Sequence, residues 1–343
     1  MLNFALDMKK KFYIICMLVI ICAGAGLYLW RYVASPYEGE PIWVYVPAGT
    51  SRAGLDSILS SNLGDHMASR IMTAYKVAAK DSTDAHGAYF ITPGDKAKDI
   101  ARRLVRRRQT PINLTFNNLR TIDQLTEKIA GQMEFSELDF KSAMSAVLPE
   151  AGFKPEEYIA AFFPDTYEFY WTTPAEETVR RLLQYRNDFW NDERRAKVAA
   201  MGLSPVKVHT ICSIAEEETN KRDERPTVGR LYLNRVRKGM KLQADPTVKF
   251  AVGDFTLRRI LNKHLKTPSR YNTYLNPGLP PGPIRIVERQ TIEDFLAAPD
   301  NDYLYMCAKE DFSGYHNFAH DYQTHLANAR RYQAELNKRN IKK

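Results

Sequence analysis

The sequence contains little cysteine and little histidine, and neither is spaced as in a metal site or a disulfide framework. Among 343 residues there are four cysteines and seven histidines, with no CxxC pair and no HExxH motif. These absences argue against a zinc site, a disulfide-stapled fold and a metalloprotease. Cys16 and Cys22 lie in an apolar N-terminal segment, which leaves Cys212 and Cys307. We expect these two as separate buried thiols, with a disulfide between them as the alternative.

The chain also lacks the composition of a disordered protein. Hydrophobic residues make up 44% and charged residues 26%, so a chain of this length should fold as two or three packed domains. The formal net charge of +9 favours an anionic partner. Charge alone leaves nucleic acid, membrane lipid and an extracellular anionic polymer as candidates.

One long apolar run lies near the N-terminus. Lys9, Lys10 and Lys11 precede an uncharged stretch over residues 12–30, and about 20 apolar residues cross a bilayer. The lysines should remain cytoplasmic, which places the chain after residue 35 outside the cytoplasm. We interpret the run as a signal anchor, with a signal peptide cleaved after residues 23–25 as the alternative. Export argues against nucleic acid as the partner.

A weak repeat of strand, turn and amphipathic helix follows. Its units begin at residues 42, 87, 112 and 165. In the third unit, Thr121 and Gln124 have the spacing of a helix capping box. Residues 176–201 predict one long exposed helix that links the repeats to the next domain. After it, Ser204 and Pro205 predict the start of another helix.

This next helix carries three adjacent glutamates in the sequence SIAEEETN. At about 100° per residue, Glu218 lies within roughly 60° of Ile211 and continues the apolar stripe, whereas Glu216 and Glu217 fall on either side, toward solvent or a cleft wall. A carboxyl at the end of an apolar stripe should have a raised pKa and can act as a general acid. The alternative is that the stripe ends at Ala215 and all three glutamates are solvated.

Three further stretches are unusual. They are LNRVRKGMKLQADPTV at 233–248, YNTYLNPGLPPGPI at 271–284 and GYHNF at 314–318. The middle stretch is rich in proline and glycine, which predicts an ordered loop. Its tyrosine rings and asparagine amides suit the apolar faces and the hydroxyl or N-acetyl groups of sugars. A rigid structural turn is the alternative interpretation.

Together with SIAEEET and FPDTYEFY at 163–170, these motifs resemble the endolytic murein transglycosylase (YceG-like) family, over nearly the whole chain. The resemblance implies a bacterial enzyme of the cell inner membrane that cuts within nascent peptidoglycan strands on the periplasmic side. Its catalytic glutamate precedes a small hydroxyl residue, which matches Glu218 and Thr219. The preceding position is often basic in relatives, whereas Glu217 is acidic here.

The resemblance implies cleavage between N-acetylmuramic acid and N-acetylglucosamine, with formation of 1,6-anhydro ends that limit strand elongation. This chemistry requires no metal and no organic cofactor. The partners are the glycan, the membrane through residues 12–30 and, by resemblance only, cell-wall synthases, with no nucleic acid. The residues expected to contact substrate are Glu216, Thr219, Gln243, Asp245, Tyr271, Asn272, Tyr274 and His316.

Two other functions stay open at this point. Asp245 or Glu216 as a second catalytic carboxylate would make the enzyme a hydrolytic muramidase. The second alternative is a noncatalytic scaffold that binds peptidoglycan through the repeats. Such a scaffold would need neither the glutamate on the apolar stripe nor the unusual loop stretches.

The expected fold class is α+β, with a transmembrane helix, a small LysM-like β-α repeat domain and a mixed α/β lysozyme-like catalytic domain. The expected boundaries are 1–11 for the cytoplasmic N-terminus, 12–30 for the anchor, 40–135 for the repeat module, 136–203 for a linking helical region and 204–343 for the catalytic domain.

Overall fold

The computed structural model describes residues 2–79, 84–257 and 259–339, with side chains from residue 8 onward. The chain divides into two compact units. The first comprises residues 1–113 and 168–173, and the second comprises residues 114–167 and 174–343. The architecture is a mixture of α-helices and short two-stranded sheets, as the predicted α+β class requires.

The first unit begins with a long apolar helix. Its elements are α1 (Leu2–Val33), β1 (Ile42–Val46), α2 (Arg52–Leu63), α3 (Asp65–Ala79), β2 (Gly87–Ile91) and α4 (Ala97–Val105). Residues Met8–Val33 of α1 are apolar enough and long enough to cross a membrane. This finding agrees with the predicted membrane segment at 12–30.

The core of the first unit lies between its sheet and its helices. β1 and β2 pair antiparallel with Val44 opposite Tyr89, and both side chains are fully buried. They pack with Leu55 of α2, Tyr75 of α3 and Ile100 of α4 in one apolar cluster. The alternation of buried and exposed residues along β1 is the pattern of a strand with one face on a core.

Two further strands pair with each other. They are β3 (Ile112–Phe116) and β4 (Asp165–Phe169), which form a second two-stranded sheet. The strands predicted at 42, 87, 112 and 165 are therefore all present, and each precedes a helix. Thr121 and Gln124 form the predicted capping box at the start of the helix after β3.

The second unit is mainly helical. Its helices are α5 (Ile122–Ala130), α6 (Glu137–Glu150), α7 (Ala175–Phe189), α8 (Asp192–Ala200), α9 (Pro205–Glu218), α10 (Arg225–Arg237), α11 (Asp245–Val252), α12 (Arg289–Ala297) and α13 (Tyr322–Lys338). Short 3-10 turns cover Pro155–Ala161 and His264–Lys266. The antiparallel strands β5 (Tyr305–Ala308) and β6 (His316–Ala319) complete it.

The single exposed helix predicted over 176–201 is wrong. The segment forms two helices, α7 and α8, which are separated at Trp190 and Asn191. Trp190 is buried against Phe189, and Asn191 caps α8 by accepting a hydrogen bond from the Arg194 backbone N–H at 2.9 Å. Burial of the indole favours the break, and the polar composition of the segment does not reveal it.

Candidate functional site

Helix α9 carries the three glutamates through the middle of the second unit. It begins as predicted, with Ser204 Oγ accepting a hydrogen bond from the Lys207 N–H. It contacts α8, α10, α11 and α12, so its residues from Val208 to Glu216 are all buried. Because the helix is covered on several sides, a single apolar stripe does not describe its environment.

Glu216 is buried. The prediction that it faces solvent or the wall of a cleft is therefore wrong. Its Oε1 accepts hydrogen bonds from Thr291 Oγ1 at 2.6 Å and from the Glu288 N–H at 3.0 Å. Arg285 Nε lies 3.3 Å from Oε2, and Arg225 Nη1 lies 3.7 Å from Oε1. Burial raises the pKa of Glu216 against the lowering effects of these partners. The side chain is 0% exposed and ties α9 to the start of α12.

Glu217 was expected to be solvated, but it is ion-paired and only 10% exposed. Arg120 binds it with two parallel hydrogen bonds, Nε to Oε1 at 2.8 Å and Nη2 to Oε2 at 3.0 Å. Arg285 Nη1 donates a third bond to Oε1 at 3.1 Å. Two guanidinium groups therefore bind the Glu217 carboxylate.

Glu218 ends α9 and is half-buried. The Tyr232 hydroxyl donates a hydrogen bond to its Oε2 at 3.1 Å. Burial raises the pKa of Glu218, and the nearby His316 and the Tyr232 hydrogen bond partly oppose this rise. The pKa of Glu218 is therefore shifted in the expected direction, and a raised pKa suits a carboxyl that donates a proton.

Two cavities meet at Glu218 and Asp245. The first, which we name the lysine cavity, has a volume of about 340 Å³ and is bordered by Glu217, Glu218, Asp245, Pro246, Lys249, Leu257, Arg259 and Ile260. The second, the histidine cavity, has a volume of about 250 Å³. It is bordered by Glu218, Leu231, Tyr232, Arg235, Leu242, Gln243, Asp245, Tyr274, Met306, Cys307, Ala308 and His316. Glu218 thus borders both cavities.

The structure brings together four of the residues expected to contact substrate. Gln243, Asp245, Tyr274 and His316 all border the histidine cavity with Glu218. The Tyr274 hydroxyl donates a hydrogen bond to Asp245 Oδ1 at 2.7 Å. Burial and this hydrogen bond to a carboxylate raise the pKa of Tyr274, so the hydroxyl stays protonated.

Thr219, Tyr271 and Asn272 lie elsewhere. Asn272 is fully buried, and its amide donates to the carbonyls of Leu265 and Thr267, both at 2.9 Å. Its amide oxygen accepts from the Tyr274 N–H at 3.0 Å. The amide therefore holds the loop together, which corrects its expected placement against a sugar.

Tyr271 and Thr219 also make contacts within the protein. The Tyr271 ring packs on Phe250 with centroids 4.7 Å apart, away from both cavities. Thr219 is buried, and its hydroxyl donates to Glu224 Oε2 at 3.1 Å. Both side chains are therefore engaged by other parts of the protein, which sequence reasoning did not foresee.

Sequence reasoning missed Tyr232 and Glu224. Glu224 binds His316 through two contacts, Oε2 to the ring Nδ1 at 2.8 Å and Oε1 to the backbone N–H at 2.7 Å. This pair fixes the imidazole at the edge of the histidine cavity. The two residues are 92 positions apart, so no local pattern could pair them.

The two cysteines outside the apolar N-terminal helix differ in burial. Cys212 is buried, whereas Cys307 is half-buried and borders the histidine cavity, so only Cys212 matches the expected burial. The two thiols do not form a disulfide. Within residues 8–79, 84–257 and 259–339, no group of three or more His, Cys, Asp or Glu side chains is arranged to hold a metal ion.

Comparison with known proteins shows relatives over most of the chain. A protein of Bacillus subtilis named endolytic murein transglycosylase is 27% identical over 317 residues, which cover 85% of this chain and 86% of that protein. A protein of the same name from Streptococcus pneumoniae is 22% identical over 87% of this chain, but the match spans only 61% of that relative's length.

A solved structure and a family pattern agree with these matches. The crystal structure of a YceG-like protein from Listeria monocytogenes superimposes with a TM-score of 0.53 and 27% identity, over 84% of this chain and 99% of that one. The sequence pattern of the YceG-like family matches residues 44–331, well over half of the chain. The chain therefore belongs to the YceG-like family.

Proposed function

We propose that the protein is an endolytic peptidoglycan transglycosylase in which Glu218 is the catalytic acid and base. The observation that carries the proposal is the position of Glu218, a carboxyl with a raised pKa at the junction of two cavities. An enzyme that cuts within a strand needs binding space on both sides of the cut bond. The relatives named endolytic murein transglycosylase support the substrate and the reaction class.

In the proposed reaction, protonated Glu218 gives its proton to the glycosidic oxygen between N-acetylmuramic acid and N-acetylglucosamine. The bond from muramoyl C1 to that oxygen breaks, and the N-acetylglucosamine end leaves as an alcohol. The muramoyl C6 hydroxyl then attacks C1 and returns its proton to the Glu218 carboxylate. One carboxyl suffices because the nucleophile belongs to the substrate and no water enters.

The surrounding residues have proposed roles in this step. Tyr232 binds Oε2 of Glu218, which leaves Oε1 as the oxygen that delivers the proton. Gln243, Asp245, Tyr274 and His316 contact the sugar in the histidine cavity. Glu224 positions His316, and the buried Glu216 positions α9.

The proposal also concerns where the site lies in the cell. We propose that α1 is a single-pass anchor in the inner membrane and that the catalytic unit faces the periplasm, where its cuts limit strand elongation. The proposed modules are a LysM-like module at 40–135 and a lysozyme-like catalytic domain at 204–343, whereas the compact units divide after residue 113 and around residues 168–173. The strand–helix–helix–strand order of β1, α2, α3 and β2 supports a small glycan-binding module.

A hydrolytic muramidase is the second candidate, and one observation favours it. Asp245 borders both cavities beside Glu218, so a second carboxylate is available to activate water. Glu216 does not serve this alternative, because its carboxylate is fully buried among its own partners.

The masses of the products separate these functions. Full-length protein in detergent is incubated with uncrosslinked glycan strands, and the fragments are analysed by mass spectrometry. The proposal expects fragments with 1,6-anhydro ends, and Glu218→Gln should lower the rate by at least about a thousandfold. Fragments that carry one additional water would show hydrolysis, and binding without any fragments would show a noncatalytic scaffold.

A further inference from the structure

The lysine cavity contains two cations that no carboxylate of the described chain neutralises directly. Lys249 is half-buried and Arg259 is exposed at the cavity border. Across residues 8–79, 84–257 and 259–339, neither side chain forms an ion pair within 4.0 Å. Lys249 helps to lower the pKa of Asp254, but from beyond ion-pair distance.

The acidic groups of the same cavity already have other partners. Arg120 and Arg285 bind Glu217, and the Tyr274 hydroxyl binds Asp245. Lys249 follows Asp245 by four positions on α11, a spacing at which oppositely charged side chains commonly pair. Asp245 instead accepts the 2.7 Å hydrogen bond from Tyr274. Positive charge therefore remains available to a ligand in the lysine cavity.

The basic groups of the histidine cavity, in contrast, are already held by hydrogen bonds within the protein. The Arg235 guanidinium at its border donates to the carbonyls of Leu304 at 2.6 Å and Leu242 at 2.7 Å. His316, the other basic residue at its border, is bound to Glu224 at 2.8 Å. The basic groups beside Glu218 thus differ: those of the histidine cavity are held by hydrogen bonds within the protein, whereas Lys249 and Arg259 make no such bond to the described residues.

The two sugars of the proposed substrate differ in charge. N-acetylmuramic acid carries a lactyl group on C3 that ends in a carboxylate or continues into a peptide stem with carboxylates, and N-acetylglucosamine carries none. This substituent is on the same ring whose C1 is cut, so it must lie within about one sugar ring of Glu218. We infer that the lysine cavity is the subsite for the muramoyl carboxylate, bound by Lys249 and Arg259; this inference rests on the proposed function.

Strand binding by the full-length Glu218→Gln protein tests the inference without turnover. The probes are fluorescently labelled uncrosslinked strands in three forms: with acidic peptide stems, with stem carboxylates converted to neutral amides, and without stems so that the lactyl carboxylate is exposed. Adding Lys249→Gln or Arg259→Gln should raise the Kd about fivefold for the acidic-stem form, as a partly exposed charge pair allows. The Kd for the neutralised form should not change.

The strands without stems distinguish the two sources of the carboxylate. A fivefold increase in Kd with these strands identifies the lactyl carboxylate as a sufficient ligand. An increase with acidic stems alone identifies the stem carboxylates.

Lys207→Gln is the matched control. Lys207 is exposed near the first turn of α9, at the other end of that helix from Glu218, and its replacement removes the same charge. Equal losses on acidic and neutralised strands, or losses no larger than those of Lys207→Gln, would overturn the inference.

Digestion by the protein with Glu218 intact separates a failure of the subsite from a failure of the proposed function. Absence of fragments from all three strand forms rejects the proposed activity. The Kd values from the binding titration still test whether the lysine cavity binds a carboxylate. Fragments with unchanged Kd values reject only the carboxylate subsite.

Discussion

The Tyr232 hydroxyl lies 3.1 Å from Oε2 of Glu218 and donates a hydrogen bond to it. Tyr232 is buried in α10, so the phenol fixes the carboxyl at the point where the two cavities meet. The bond favours the ionised form of Glu218 and limits the rise in pKa that burial causes. Tyr232 therefore affects both the orientation and the proton affinity of the proposed acid.

Replacement of this phenol tests both effects. We expect Tyr232→Phe to lower kcat about tenfold through lost orientation, and to move the alkaline limb of the kcat–pH profile to higher pH because the pKa of Glu218 rises further. The pH profile is the decisive measurement, since a purely structural role lowers kcat without moving the limb. Tyr185→Phe, at a partly exposed ring, should leave the profile unchanged.

The raised pKa of Glu218 also predicts a dependence of stability on pH. A carboxyl whose folded pKa exceeds its ordinary value of 4.5 contributes stability that is complete below that value and is lost as pH rises through the folded pKa. Glu218→Gln keeps an acceptor for Tyr232 but cannot ionise. It should be more stable than wild type at pH 8 and equal to it near pH 4. Thermal unfolding at the two pH values measures this, and an equal difference at both would contradict it.

Glu216 should matter for folding more than for chemistry. Glu216→Gln leaves Arg285 and Arg225 without their buried partner, so we expect a loss of about 3 kcal/mol in the free energy of unfolding. Glu176→Gln is the control, because its ion pair with Arg180 is exposed and screened by solvent, so its loss should change the free energy of unfolding far less. Denaturant titration compares the two. A stable Glu216→Gln protein would show that the network is dispensable.

Asp245 separates the two candidate reactions. For a transglycosylase, Asp245→Asn should lower kcat/KM about tenfold through weaker positioning while the fragments keep their anhydro ends. For a muramidase, the same change removes the base that activates water, and the hydrolysed fragments should disappear. Mass spectrometry of the fragments gives the answer directly.

The buried amide of Asn272 predicts a structural role. Asn272→Ala removes donors to the Leu265 and Thr267 carbonyls, so we expect a loss of about 2 kcal/mol in stability with less than about a threefold change in strand affinity at low temperature. Asn262→Ala, at an exposed position of the same segment, should have little effect. Unchanged stability with lost strand binding would restore Asn272 as a sugar ligand.

The sequence by itself determined the features that depend on near neighbours. The membrane-length apolar run, the four strands at 42, 87, 112 and 165, and the helix start at Ser204 follow from composition, alternation and capping within a few residues. Ordered family motifs also identified the family, because their order along the chain is preserved whatever the packing.

Only the tertiary structure decided the environments of the three glutamates. Glu216 meets Thr291, 75 positions away, and Glu217 meets Arg120, 97 positions away. Helical periodicity reports the direction of a side chain, but not what covers each direction, and α9 is covered by four other helices. The separation of a buried structural carboxylate from a half-buried one at a cavity junction therefore arises from long-range packing, which local sequence patterns do not encode.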